Sequence, residues 1–384
     1  MIARRQQVAW ALTALLAGGA ACQAQARHEP GRPGRPAPPA STRGFTLVAS
    51  GDIVPHDSVV DRAGFDAGGN GRDFRPMLAG AQGAVSTADV ALCQLETVHG
   101  ADPGHAGQRA SEAPPELAAG LVATGYDSCA TASDHALDNG PAGVRRTLDA
   151  MDAAGLGHPG IARTDAEART PTILRAGPAK VAHLAYTYAG DGAVLPPGQP
   201  WAVDLIDEDR VLADARAARR AGADVVVVCL HWGTEGQEAP DRRQLTLAKR
   251  LTAARTNGRP DIDLVLGSGA HVPQAYEKVN GTWVVYGTGD QVTGDASDDK
   301  GARDLRANES TLARFTFAPP PRPGGRWEVT GAEFVPQMYD LDAGRVVDLG
   351  QAIADGADLT GVRDAIRDTV LSRGAAKDGL MMGD

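Results

Sequence analysis

The chain is poor in aromatic residues, in cysteine and in surplus positive charge, and it has no apolar run long enough to span a bilayer comfortably. Aromatic residues are 4 % of the 384 positions, while alanine, glycine, arginine and aspartate abound. That skew looks like a coding bias and says little about function. The formal net charge of −10 at pH 7 is the reverse of a nucleic-acid footprint, so no nucleic-acid partner is expected. Cys93, Cys129 and Cys229 fall inside strand-like runs with no C-x-x-C spacing. An exported chain could oxidise two of them, but buried free cysteines are the expectation for core strand positions. No internal repeat is evident. Apolar content of 42 % is ordinary and suffices for a substantial core.

Residues 1–22 read as an export signal. Arg4-Arg5 precede an apolar stretch from Val8 to Ala21 that is short for a membrane span. Gly19-Ala20-Ala21 then lead into Cys22 in the manner of a bacterial lipoprotein cleavage site, although Gly19 stands where leucine is usual. The expectation is an exported protein held at the outer face of the cell membrane through Cys22, with plain secretion as the alternative. Residues 23–43 include Pro30, Pro33, Pro36, Pro38 and Pro39. Such a stretch cannot bury enough apolar surface to fold. In an extended form of about 3.1 Å per residue it could hold a domain up to about 60 Å from its anchor.

Six times afterwards, a short apolar run stops at a polar cluster. Phe45–Ser50 leads to Gly51-Asp52, Val90–Leu95 to Glu96, and Asp127–Ser133 to Asp134-His135. Val225–Leu230 leads to His231-Trp232-Gly233, residues 262–266 to the loop ending at His271, and Trp283–Tyr286 to Gly287-Thr288-Gly289-Asp290. Open α/β sheets gather ligands at one edge of their strands. Carboxylates and imidazoles at six such endings predict a metal site. Helical spacing marks Leu117–Thr124, Gly143–Ala154, Glu208–Ala221 and Arg243–Arg255, with Gly125 and Gly155 as C-caps. Lys180–Tyr188 is a further strand, and a proline-rich break at Pro319–Gly325 precedes another at Trp327–Val335.

In order and spacing, these blocks resemble the CapA family, poly-γ-glutamate capsule-synthesis proteins of the calcineurin-like metallophosphatase superfamily. The residues that carry the likeness are Gly51-Asp52-Ile53 with His56, Gln94-Leu95-Glu96, Ser133-Asp134-His135 with Asp138 and Gly140, and His231-Trp232-Gly233-Thr234-Glu235. Gly267-Ser268-Gly269-Ala270-His271-Val272-Pro273-Gln274 and Tyr286-Gly287-Thr288-Gly289-Asp290 complete it. The resemblance implies an α/β fold, a four-layer α/β/β/α sandwich, over residues 44–340, leaving 341–384 as a C-terminal extension with no readable motif. It implies metal ligands at Asp52, Glu96, Asp134, His231 and His271, holding one or two divalent ions (Mn²⁺, Mg²⁺ or Zn²⁺). It also implies a catalytic role for His135 as a general acid, with Glu235 and His56 in supporting or substrate contacts.

Plainer readings stand beside these. Asp52 after glycine could be a turn residue, Asp134 or Ser133 a helix N-cap, Trp232 simply packing, and Asp138 a cap or turn residue. His28, His99, His105 and His158 are expected to be solvated, and His183 to be a satisfied core residue. Departures from the family bear on chemistry. Gly269 stands where the family has the first imidazole of a His-x-His loop, and Asp134 stands where it has asparagine; Asp290 and Gln94 are further exchanges at the same edge. Loss of an imidazole and gain of a carboxylate shift preference towards harder ions. If the site is a weakened enzyme, restoring Gly269→His is expected to raise metal occupancy. The implied function is a metal-dependent hydrolase of phosphoester or polyanionic bonds, acting in capsule polymer biosynthesis beside a membrane polymer-synthesis complex. The alternative is a non-catalytic envelope component that binds or helps assemble and export an anionic polymer.

Overall fold

The computed structural model describes residues 43–100, 112–188, 195–295, 304–321 and 325–383. The expected signal, Cys22 and all of the linker but Arg43 lie outside the described residues, as do His28 and His105. From residue 43 the chain lays down three parallel strands, β1 (Phe45–Ile53), β2 (Val90–Leu95) and β3 (Ser128–Ala130). It then builds a second sheet from β4 (Thr172–Ala176), β5 (Ala179–Thr187), β6 (Val225–His231), β7 (Leu264–Ser268), β8 (Tyr276–Val279) and β9 (Thr282–Val285). Finally it returns to the first sheet with β10 (Asp290–Val292), β11 (Glu309–Ala318), β12 (Glu328–Asp340), β13 (Arg345–Asp348) and β14 (Leu380–Met382).

The first sheet runs β13-β12-β11-β1-β2-β3, with β10 continuing beside the end of β1 and β14 beside β12; the second runs β8-β9-β7-β6-β5-β4. In the second sheet β5, β6, β7 and β9 are mutually parallel, and the antiparallel partners β4 and β8 form its edges. Residues 341–384, set apart by sequence as an extension, contribute two strands that pair with β12 and two helices, Leu349–Ala354 and Thr360–Leu371.

Alternation along each strand makes the layers. In β6, Val225, Val227 and Cys229 face a core shared with Leu47, Leu92 and Phe315 of the first sheet. Val226, Val228 and Leu230 face the opposite way, against helices Glu208–Arg220 and Arg242–Ala253. Val48, Ala91 and Cys93 of the first sheet pack under helices Asp57–Asp66, Ala79–Ser86 and Glu116–Thr124. The order is therefore α/β/β/α, as the resemblance implies. A strand buried on both faces reads as an unbroken apolar run, which is what Val225–Leu230 is. Between the sheets, Phe45 stacks on Phe317 with centroids 4.8 Å apart, and Tyr276, Trp283, Phe315, Trp327 and Phe334 join them in the same core.

Two expectations are corrected. Cys93 and Cys129 stand opposite each other in the β2–β3 register and are joined as a disulfide, leaving Cys229 as the free, buried cysteine of the described residues. Direct opposition of two strand residues on one face brings their side chains together, which strand periodicity in a single segment cannot reveal. His99 is not solvated: it is 2 % exposed, and its Nδ1 lies 3.0 Å from the Ala113 carbonyl. His183 is a satisfied core residue, 2.8 Å from Ser128 Oγ and 3.2 Å from Cys229 Sγ.

Candidate metal centre

Parallel strands end together, and here their C-terminal ends from both sheets meet at one edge. Registers set the neighbours: Asp52 lies opposite Gln94 on one side and Asp290 on the other, and Ser268 lies opposite His231. The β1 ladder is irregular on either side of Asp52, and a bulge of this kind re-aims a side chain at a strand end. Gly51 is obligatory there, because a Cβ would come within 1.9 Å of the Gly289 carbonyl oxygen.

Three groups of metal-ligating atoms form, each within 4.8 Å of one another: Asp52–Glu96–His231, Asp52–His271–Asp290 and Glu96–Asp134–His135. Asp52 and Glu96 each belong to two groups and so knit the three into one cluster. His231 Nε2 lies 3.1 Å from Asp134 Oδ1 and 3.8 Å from Glu96 Oε1, and His271 Nε2 lies 3.4 Å from Glu96 Oε1. The far nitrogens have their own partners: His231 Nδ1 is 3.2 Å from Ser268 Oγ, and His271 Nδ1 is 3.0 Å from Asp290 Oδ1. His271 adopts a left-handed φ of 58°, which a non-glycine residue holds only when its surroundings over-determine it.

Asp52 and Glu96 are buried, yet Asp52 Oδ1 and Glu96 Oε2 have no hydrogen-bond partner among the described residues. Orphaned buried carboxylate oxygens are costly unless a cation or a proton meets them. Without an ion, both carboxyls hold a proton more tightly than free ones do. Burial pushes Asp52 up to about 6 and Glu96 up to about 8. Burial works against a charged His231, but Glu96, the hydrogen bond to Asp134 and Asp52 outweigh it and hold the imidazole up at about 9. His271 is raised in the same way, with Glu96 and Asp290 overcoming burial. Asp134 is held below the ordinary carboxylate range: burial opposes this, but His231 and the other histidines prevail. Hard oxygen donors, two imidazoles and unmet negative charge fit one or two divalent cations.

All five residues expected as ligands lie in this cluster. His135 does too: its Nδ1 is 2.8 Å from Asp138 Oδ2, and its Nε2 is 4.0 Å from Asp134 Oδ2 at the solvent-exposed lip. His56 is part-buried within electrostatic reach of Asp290 and His271; burial, partly offset by Asp290, lowers its basicity. Glu235 is exposed and outside the three groups. Trp232 is packing: it is buried, and its indole N–H donates to the Tyr286 carbonyl at 2.8 Å. Sequence reasoning placed Asp290 among the six strand endings without assigning it a ligand role, and it did not single out Ser268. The sixth strand ending carried a signal for Asp290, but Ser268 looks like an ordinary strand residue.

Gly269 changes the expectation attached to it. Its φ is 83°, and a Cβ there would lie 2.8 Å from His231 Nε2. His231 occupies the space an additional side chain would need, and the Gly269 N–H donates to Asp52 Oδ2 at 2.9 Å.

A profile of the family described as "Bacterial capsule synthesis protein PGA_cap" matches residues 46–295. The chain belongs to this family. A "Probable polyglutamine synthesis accessory protein" of Mycobacterium tuberculosis is 29 % identical over 257 residues, covering 61 % of this chain and 63 % of that protein. The "PGA biosynthesis protein CapA" of Bacillus subtilis is 28 % identical over 206 residues, covering 52 % and 49 %. The matched part of the chain thus spans less than two thirds of either PGA_cap relative. Among solved structures, a calcineurin-like phosphoesterase of Bacillus subtilis covers 84 % of this chain and 99 % of its own, with 13 % identity and a TM-score of 0.41. The resemblance to CapA drawn from the sequence is borne out at the level of family.

Proposed function

We propose that this PGA_cap protein is a metal-dependent hydrolase of phosphoester or other polyanionic bonds, working at the outer face of the cell membrane in the production of a poly-γ-glutamate-type polymer. The observation that carries the reading is the cluster in which Asp52 and Glu96 tie three ligand groups together while each keeps a buried, unpartnered oxygen. Asp52, Glu96, Asp134, His231 and His271 hold one or two divalent ions. Such ions, when bound, clamp an oxyanion and acidify a water molecule. The chain's own residues supply the rest. Asp138 holds His135 by Nδ1, leaving Nε2 at the open lip to pass a proton to a leaving group. His56, whose basicity burial lowers, and Glu235, on the exposed rim, contact the substrate or the residues around it. A disulfide in the core is at home in an oxidising compartment, which supports export. The Cys22 anchor and linker would hold the domain near a membrane-bound synthesis complex.

A second reading is favoured by one observation: Gly269 offers no imidazole, and His231 fills the space beside it. On that reading the protein binds an anionic polymer and aids its assembly or export without turnover. The two separate in one assay. The Mn²⁺-loaded chain is expected to hydrolyse a model phosphodiester or the polymer at a rate that falls by about 100-fold or more in His135→Ala. Polymer binding with no metal-dependent turnover would favour the second reading.

A further inference from the structure

The two imidazoles of the centre are backed by different groups. Behind His231, Nδ1 meets the neutral hydroxyl of Ser268 at 3.2 Å. Behind His271, Nδ1 meets both oxygens of Asp290, at 3.0 and 3.2 Å, and this carboxylate is 2 % exposed. Each contact leaves Nε2 facing the shared carboxylates. A carboxylate behind an imidazole fixes its orientation and raises its strength as a donor more than a hydroxyl does. On the front side both imidazoles face Glu96, whose Oε1 lies 3.4 Å from His271 Nε2 and 3.8 Å from His231 Nε2, and His231 also meets Asp134, whose side chain is 46 % exposed. The position that would add an imidazole beside His231 is Gly269.

We propose that Asp290 is a positioning residue for His271, and that the half of the centre built on His271 binds a divalent cation more tightly than the half built on His231. The inference rests on the metal-binding reading given above. Asp290 would thereby offset part of what the chain lacks at Gly269, since the carboxylate lies next to Asp52 in the β1–β10 register.

The test is calorimetric titration of the chelator-stripped full chain with Mn²⁺, with free Mn²⁺ followed by electron paramagnetic resonance. Two binding events separated by at least about tenfold are expected. Asp290→Asn, nearly isosteric, is expected to weaken the tighter event about 10- to 100-fold and spare the weaker one. Ser268→Ala is expected to do the reverse, and His271→Gln to abolish the tighter event alone. This selectivity sets positioning apart from a general structural loss, which would weaken both events together. Two events of equal affinity in the unsubstituted chain would overturn the inference. So would an Asp290→Asn protein in which neither event changes or both weaken alike. Should Asp290→Asn not fold, the Ser268 and His271 variants still decide the assignment. Absence of any Mn²⁺ binding would instead overturn the metal-centre reading itself.

Discussion

Gly269 and His231 occupy one small space. A side chain at 269 must enter the left-handed region and displace the imidazole 2.8 Å away, and each of these costs on the order of 1–3 kcal/mol. Gly269→His, the change that would restore the family's His-x-His loop, is therefore expected to destabilise the fold by roughly 2–6 kcal/mol and to lower metal occupancy. Chemical denaturation and elemental analysis of the variant check both; a stable protein with more bound metal would contradict the packing argument. The same residues show what was legible beforehand. Asp52, Glu96, Asp134, His231 and His271 each follow a strand-like run, and strand ends converge. Asp290 was counted among those endings without a role, which only its register with Asp52 and its contact with His271 supply. Ser268 looks like strand interior until its opposition to His231 is seen. Glu235 was read with His231 as one block of the family resemblance, yet the turn that follows Trp232 carries it out to solvent.

At the scale of elements, the β2–β3 pair has particular weight because it delivers Glu96 and the Asp134–His135 loop. Strand β3 is only three residues long, and the disulfide between Cys93 and Cys129 locks it to β2. Closing a segment with a sequence separation of 36 residues restricts the unfolded chain by roughly 2–4 kcal/mol. Cys93→Ala or Cys129→Ala is expected to lower stability in urea by that amount, and the unsubstituted chain with reductant to follow the variants. Equal midpoints with and without reductant would contradict it. Helices were legible where apolar spacing and glycine caps coincide. Helix Glu116–Thr124 ends at Gly125 with φ 115°, and helix Gly140–Ala154 ends at Gly155 with φ 79°, both as expected. Helix Ala79–Ser86, with its run of small residues, carries little periodic signal and went unread. The disulfide was unread because pairing is a property of two strands, not of either sequence segment.

Across the whole molecule, two sheets back to back bring anionic side chains out of water at one edge, and that arrangement sets how the protein responds to pH. Burial raises Asp52 and Glu96, while carboxylates raise His231 and His271. The metal-free fold thus holds more protons than the unfolded chain over these groups. Their stabilising contribution is complete below their unfolded values and is lost as pH climbs through about 6 to 9. Asp134 has the opposite sign, and its contribution is lost only in acid. Metal binding must expel the retained protons, so affinity rises with pH over the same window. The thermal midpoint without metal is expected to fall from pH 6 to pH 9, while the gain on adding Mn²⁺ grows. Midpoints in which the Mn²⁺ gain is flat or shrinks would contradict this linkage. The alternation of strands and helices was legible in the sequence and the layer order only through the family resemblance, whereas membership of residues 341–384 in the first sheet was not legible, since their strands are short and pair with β12. The central claim is that Asp52 and Glu96 tie together a centre for divalent cations. It is tested most directly by elemental analysis of the chain purified without chelator and re-equilibrated with Mn²⁺. Two ions per chain are expected, with loss of both in Asp52→Ala. No bound metal, or binding indifferent to Asp52, would contradict the account.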